Sequence, residues 1–124
     1  MREAVELGQV IAERHLILDP DETVIVRIGL PITRVGPPEE SWCPYQIEGL
    51  GSGKVRHTVG IDAIQSLWLT LQTIGSTLYV SEEYRTGRLH SFPADPDLCL
   101  PVLDQFRDLV PPTPPRPEGH VDPQ

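Results

Sequence analysis

The sequence contains only two cysteines and a single lysine. The two cysteines, Cys43 and Cys99, are too few for a disulfide framework and do not form a C-x-x-C pair. The ten basic residues are Lys54 and nine scattered arginines, against 18 acidic residues, which gives a formal net charge of -8. Such a surface repels a polyphosphate backbone. We therefore expect no nucleic-acid partner, and the acidic surface is either merely solvated or docks on a basic partner.

Targeting signals are also lacking. The opening stretch MREAVELGQV has neither the apolar core nor the small-residue cleavage site of a secretory signal. Together with the two unpaired cysteines, this predicts a cytoplasmic protein with reduced thiols.

The chain has the length and composition of one globular domain. With 124 residues, of which 39% are hydrophobic and 23% charged, it can build a single core. We predict one domain over residues 1–110 and a proline-rich tail over residues 111–124. The tail is either solvated polyproline or a ligand for an SH3-type groove, because Pro111, Pro114 and Arg116 have the required spacing.

Apolar runs with alternating polar residues predict a sheet. The runs VIAERHLIL and TVIVRIGLPI are separated by an acidic, proline-containing turn at residues 19–22, which predicts a hairpin. The runs WCPYQIEGL and KVRHTVGI predict the third and fourth strands, and RLHSF predicts a short fifth one.

The segment EGLGSGKVRH superficially resembles a phosphate-binding loop. Counting back from Lys54 places Glu48 where the first glycine of a Walker loop belongs, and Val55 replaces the hydroxyl residue that binds magnesium. The segment after Lys54 also alternates like a strand, so no helix begins there. We therefore predict a hairpin turn whose glycines supply positive φ angles.

One long helix is predicted from Asp62, which forms a capping box with Gln65. Its predicted core-facing residues recur at spacings of three and four, and they are Ile64, Leu67, Trp68, Leu71, Ile74 and Leu78. Gly75 lies within this helix, and we interpret it as a point of close approach to the sheet. Pro101 is predicted to open a short C-terminal helix.

No charged residue occurs between Ala63 and Ser81, which is unusual for a surface helix. A membrane span is not expected, because too many Ser, Thr and Gln residues interrupt the segment. The outer face is therefore a neutral surface in water, or it is covered by the chain termini or by a second subunit in a homodimer. The predicted interface residues are Leu69, Thr73, Ser76 and Val80.

No catalytic motif is evident, so no catalytic residue, cofactor or metal ligand is predicted. Zinc would need clustered ligands, whereas His57, His90 and the two cysteines each stand alone in the sequence. Cys43, His57 and Asp62 could be combined into a nucleophilic set, but no oxyanion motif accompanies them. The alternative to a binding protein is a small enzyme or ligand-binding domain with a pocket near Trp42, Cys43, Tyr45 and His57, with His57 interpreted as facing inward.

Two segments carry a resemblance. The patterns W-C-P-Y-x-I-x-G-L-G, from Trp42, and V-G-I-D-A-I-Q-S-L, from Val59, resemble a family of small bacterial proteins that share a domain of unknown function. The resemblance covers roughly residues 10–101. It implies a bacterial, single-domain protein and transfers no functional residue.

These observations predict an α+β fold, with a mostly antiparallel sheet of four or five strands, the long helix packed on one face and a short C-terminal helix. For function they favour a non-enzymatic module that binds another protein, in an immunity- or antitoxin-like role. The motivation is the acidic charge, the uncharged helix and the absent catalytic motif.

Overall fold

The computed structural model describes residues 5–112, which form an α+β fold and confirm the predicted class. Six antiparallel strands make one sheet: β1 (Val10–Leu18), β2 (Glu22–Gly29), β3 (Ile32–Arg34), β4 (Glu40–Glu48), β5 (Arg56–Gly60) and β6 (Leu89–His90). The helices are α1 (Ala63–Val80), α2 (Glu82–Arg85) and a 3-10 helix (Asp104–Leu109). Residues 113–124, most of the predicted tail, lie outside the described part.

β4 is central to the part of the sheet that carries the candidate site. Its residues 45–48 pair with β2, and its residues 40–42 pair with β3, so β2 and β3 occupy successive stretches of one edge. β5 pairs with residues 41–45 along the other edge. The sheet has more strands than the four or five predicted because Pro31, which cannot donate a ladder hydrogen bond, separates β2 from β3.

Both predicted hairpins are confirmed. β1 and β2 are joined through the turn after Leu18, which pairs with Glu22. β4 and β5 are joined through the glycine-rich segment, in which Gly49, Gly51 and Gly53 have φ values of 95°, 69° and 71°. These are angles that residues with a Cβ rarely adopt, so the glycines serve the turn.

The start of α1 follows the predicted capping box. The Asp62 carboxylate accepts a hydrogen bond of 2.8 Å from the Gln65 backbone N–H, and the Gln65 side-chain oxygen accepts one of 2.8 Å from the Ile61 N–H. Two N–H groups that the helix itself leaves unpaired are thereby satisfied.

The N-terminal half of α1 presents hydroxyl groups, not large apolar side chains, to the sheet. The Ser66 and Ser41 hydroxyls lie 2.9 Å apart, and the Thr58 hydroxyl lies 2.7 Å from that of Thr70 and donates to the Ser66 carbonyl. A Cβ added to Gly60 would lie 2.6 Å from the Ser66 nitrogen. Backbones this close leave room only for short side chains. Serine and threonine fit there, and their hydroxyl groups can hydrogen-bond to each other.

The predicted core-facing stripe is therefore correct only in part. Ile74 and Leu78 are fully buried, and Leu67 and Leu71 pack at the core margin. Ile64 and Trp68, by contrast, are 80% and 52% exposed. The prediction was wrong for these two because periodicity alone assigns large apolar residues to the core, whereas the close approach at Gly60 excludes them.

The C-terminal segment, residues 98–103, crosses the outward side of α1. The Tyr79 hydroxyl accepts a 2.8 Å hydrogen bond from the Leu98 N–H, and the Ser76 hydroxyl accepts one of 2.9 Å from the Leu103 N–H. A Cβ added to Gly75 would overlap the Pro101 carbonyl oxygen. The close approach marked by Gly75 is thus to this segment and not to the sheet, and the segment is extended where the final helix was predicted to begin.

Candidate functional site

The four residues of the predicted pocket lie on two opposite faces of the sheet. Successive side chains of a strand point to opposite faces. Cys43 and Tyr45 lie on the face that α1 covers and are buried, whereas Trp42 and His57 lie on the other face and are half-buried. The interpretation of His57 as an inward, core residue is therefore corrected, and the four residues do not line one cavity.

Trp42 and His57 stack directly on each other. Their ring centroids are 4.2 Å apart and their planes differ by 10°. The Arg34 guanidinium, on strand β3 next to β4, lies 4.4 Å from the centre of the Trp42 indole. The ring faces are occupied by each other and by a cation, which stabilises this surface and leaves no cavity between the rings.

The nucleophilic set of Cys43, His57 and Asp62 is not assembled. Cys43 is fully buried, and its thiol faces the Gly29 carbonyl oxygen at 3.8 Å, on the side of the sheet away from His57. Burial raises the pKa of the Cys43 thiol, an effect that the Thr70 hydroxyl partly offsets. A thiol in this setting stays protonated and is a poor nucleophile.

The predicted interface on α1 is partly occupied by the chain itself. Leu103 and Phe106 border a cleft of about 180 Å³ together with Thr73, Ser76 and Val80. Ser76 is buried there, Leu69 and Thr73 are half-buried and Val80 is exposed. The sequence left open whether this face of α1 contacts water, the chain termini or a second subunit. For Ser76, the C-terminal segment of the chain itself accounts for the burial.

Sequence reasoning missed a surface that we name the apolar patch: Ile61, Ile64 and Trp68. Ile61 is 75% exposed, and the three residues follow one another at spacings of three and four before and along the first turns of α1. Beside it, a groove of about 240 Å³ is lined by Glu39, Glu40 and Ile61. A signal in the sequence could have revealed this patch: Gly60, Ser66 and Thr70 are small, and small residues mark the side of α1 that lies closest to the sheet.

Within residues 5–112, no three His, Cys, Asp or Glu side chains lie close enough together to hold a metal ion. None of the helices formed by the same residues is long and apolar enough to cross a membrane.

His90 provides a pH-dependent contact between β6 and the first hairpin. Its Nε2 lies 3.0 Å from an Asp19 carboxylate oxygen, and its Nδ1 lies 3.3 Å from the Ser91 carbonyl oxygen. Hydrogen bonding to Asp19, followed by that to Ser91, raises the pKa of His90 above its ordinary value. The folded protein thus holds the imidazole proton more tightly than the unfolded chain does.

We expect this contact to stabilise the protein in acid and not in base. Because the folded pKa is the higher one, the contribution is fully present below the ordinary pKa of about 6.5 and is lost as the pH rises through the folded pKa. In urea unfolding, the stability difference between wild type and His90→Gln should be larger near pH 5.5 than near pH 8. Asp19→Asn should remove the same pH-dependent difference. An equal difference at both pH values would contradict the assignment.

The comparison with protein families gives one match, and it agrees with the resemblance seen in the sequence. The family model described as Domain of unknown function (DUF6968) matches residues 12–102, which is well over half of the chain. No curated protein and no solved structure matched the chain. The matched range contains β2 to β6, all of α1 and most of β1. The chain therefore belongs to the family described as Domain of unknown function (DUF6968).

Proposed function

We propose that the protein is a non-enzymatic binding module whose apolar patch docks on another protein. One observation carries the proposal: Ile64 and Trp68 lie on a helix most of whose other large apolar side chains pack in or against the core, yet within residues 5–112 they remain 80% and 52% exposed. Contiguous exposed apolar side chains with a polar border are typical of protein interaction sites, and tryptophan is enriched among the residues that dominate binding energy.

The charges beside the patch indicate the chemistry of the partner. Glu39 and Glu40 border the groove next to Ile61, and Asp62 caps the helix in between. The chain as a whole carries a net charge of -8. A partner segment with apolar side chains and lysine or arginine would complement this surface, whereas a second copy would bring the same negative charge.

The biological role stays a prediction. An acidic module that binds a basic protein is compatible with the immunity- or antitoxin-like role, and a homodimer through α1 is the alternative. Two free thiols, one buried and one exposed, support placement in a reducing bacterial cytoplasm.

The test is to purify the tagged full-length protein from its native host and to measure the affinity of any stoichiometric partner. We expect the double variant Ile64→Ser and Trp68→Ser to weaken that affinity at least about tenfold, because a buried tryptophan alone commonly contributes that much. The matched control is Val35→Ser with Phe92→Ser, which removes two apolar side chains that lie outside the patch and are 94% and 82% exposed.

A partner that binds both double variants equally well would contradict the assignment of the apolar patch. A version lacking residues 111–124 separates a contact made by the tail from one made by the patch. Light scattering at several concentrations would reveal self-association. A dimer that is lost in the Ile64 and Trp68 variant would mean that the patch binds a second copy of this chain and not a different protein.

A further inference from the structure

A cleft of about 290 Å³ lies between the β4–β5 hairpin and the C-terminal half of α1. Tyr45 and Arg56 form its wall as a cross-strand pair, and the hairpin residues Ser52 and Lys54 and the helix residue Thr77 complete the polar rim. Leu50 and Ile47 contribute apolar surface. This volume is at the lower end of small-molecule sites, which hold roughly 300 to 1,000 Å³.

The cleft is positive in a protein that is otherwise acidic. It is lined by the only lysine and by one arginine, and none of its lining residues is acidic, although the chain contains 18 acids. Within residues 5–112, neither Lys54 nor Arg56 forms an ion pair. The same holds for Arg14, Arg85 and Arg88, but Lys54 and Arg56 line one cleft together. Two cations without a protein counterion in one concave site create a local positive potential that attracts an anion from solution.

Tyr45 adds a third donor to the same wall. Its side chain is almost fully buried, yet its hydroxyl makes no hydrogen bond with the residues that the structure describes. Burial raises the pKa of Tyr45, against a smaller lowering by the nearby Arg56. The hydroxyl therefore stays protonated at neutral pH and can donate a hydrogen bond to a ligand.

We propose that this cleft binds a small organic anion, with its phosphate or carboxylate group held by Lys54, Arg56 and the Tyr45 hydroxyl. Hydrogen bonds between cationic side chains and anionic oxygens are the strong class, and an arginine can hold two such oxygens at once. The apolar residues Leu50 and Ile47 contact the remainder of the ligand. The site is not a Walker loop, since the hairpin is followed by a strand and supplies no helix N-terminus.

This site is separate from the apolar patch and does not depend on the proposed partner. Trp68 and Thr77 are nine residues apart on α1, which corresponds to about 13 Å along the helix axis. A failure of the partner experiment therefore leaves this proposal intact, and the reverse also holds.

The test is a titration of the full-length ¹⁵N-labelled protein with inorganic phosphate and, separately, with succinate, at constant ionic strength set with chloride. We expect the amides of Gly51, Gly53 and Lys54 to shift and to saturate with a dissociation constant of about 10 mM or lower. Lys54→Gln or Arg56→Gln should raise that constant roughly tenfold, since each removes a charge-assisted hydrogen bond. Tyr45→Phe, which keeps the buried ring, should raise it roughly threefold.

The control variant is Arg85→Gln, which removes an exposed cation that does not line the cleft. It should leave the dissociation constant unchanged. Saturable shifts with one probe alone would support the site and identify which anionic group it prefers. The proposal is overturned if neither probe shifts the hairpin amides, or if the cleft variants and Arg85→Gln weaken binding equally.

Discussion

Replacing Ile74 with alanine is expected to lower the free energy of unfolding by about 3 to 4 kcal/mol. Ile74 is fully buried in the middle of α1 and belongs to the core formed with the sheet. The substitution removes apolar surface that folding takes out of water and also leaves a cavity, because close-packed neighbours relax only partially.

The matched control lies on the same helix. Ile64→Ala makes the identical chemical change at a position that is 80% exposed, and its effect should stay within about 0.5 kcal/mol. Urea unfolding of both variants, followed by far-UV circular dichroism, gives the comparison directly. Equal losses of stability would mean that α1 is rotated, so that Ile64 is buried as deeply as Ile74. They would also remove the basis for the apolar patch.

Replacing Gly75 with alanine is expected to destabilise the protein by about 2 kcal/mol, although the same change in an ordinary helix stabilises it by about 1 kcal/mol. The added Cβ would overlap the Pro101 carbonyl oxygen, which is backbone and cannot rotate away. The C-terminal segment must then move, and the hydrogen bonds from its Leu98 and Leu103 N–H groups to α1 weaken with it.

Hydrogen exchange distinguishes this mechanism from a general loss of stability. The Leu98 and Leu103 amides should lose protection in Gly75→Ala to a greater extent than the amides of β1 and β2. Thr77→Ala, an exposed substitution two residues further along α1, serves as the control and should change stability by no more than about 0.5 kcal/mol. A rise in stability for Gly75→Ala would show that the segment does not press on the helix.

The candidate site was only partly predictable. Trp42 and His57 do meet, but the alternation along β4 sends Cys43 and Tyr45 to the opposite face. Tyr45 then joins Lys54 and Arg56 in the hairpin cleft, a grouping that depends on the cross-strand register and on the position of Thr77. Motif spacing correctly excluded a Walker loop, yet it carries no information about which side chains a hairpin brings next to a helix.

The sequence by itself determined the features that local interactions control. The acidic proline turn, the glycine hairpin and the Asp62 capping box each depend on a few consecutive residues, and all three are present. The α+β class followed from the order of these elements.

Only the tertiary structure decided which side of α1 faces the sheet. Hydrophobic periodicity places Ile64 and Trp68 in the core, but the close approach between Gly60 and Ser66 leaves room only for short side chains between the N-terminal half of α1 and the sheet. The C-terminal segment then covers Gly75 and Ser76 from a distance of more than 20 residues in the chain. Contacts between distant segments compete for the same helix surface, and their outcome depends on backbone separation, which no local pattern encodes.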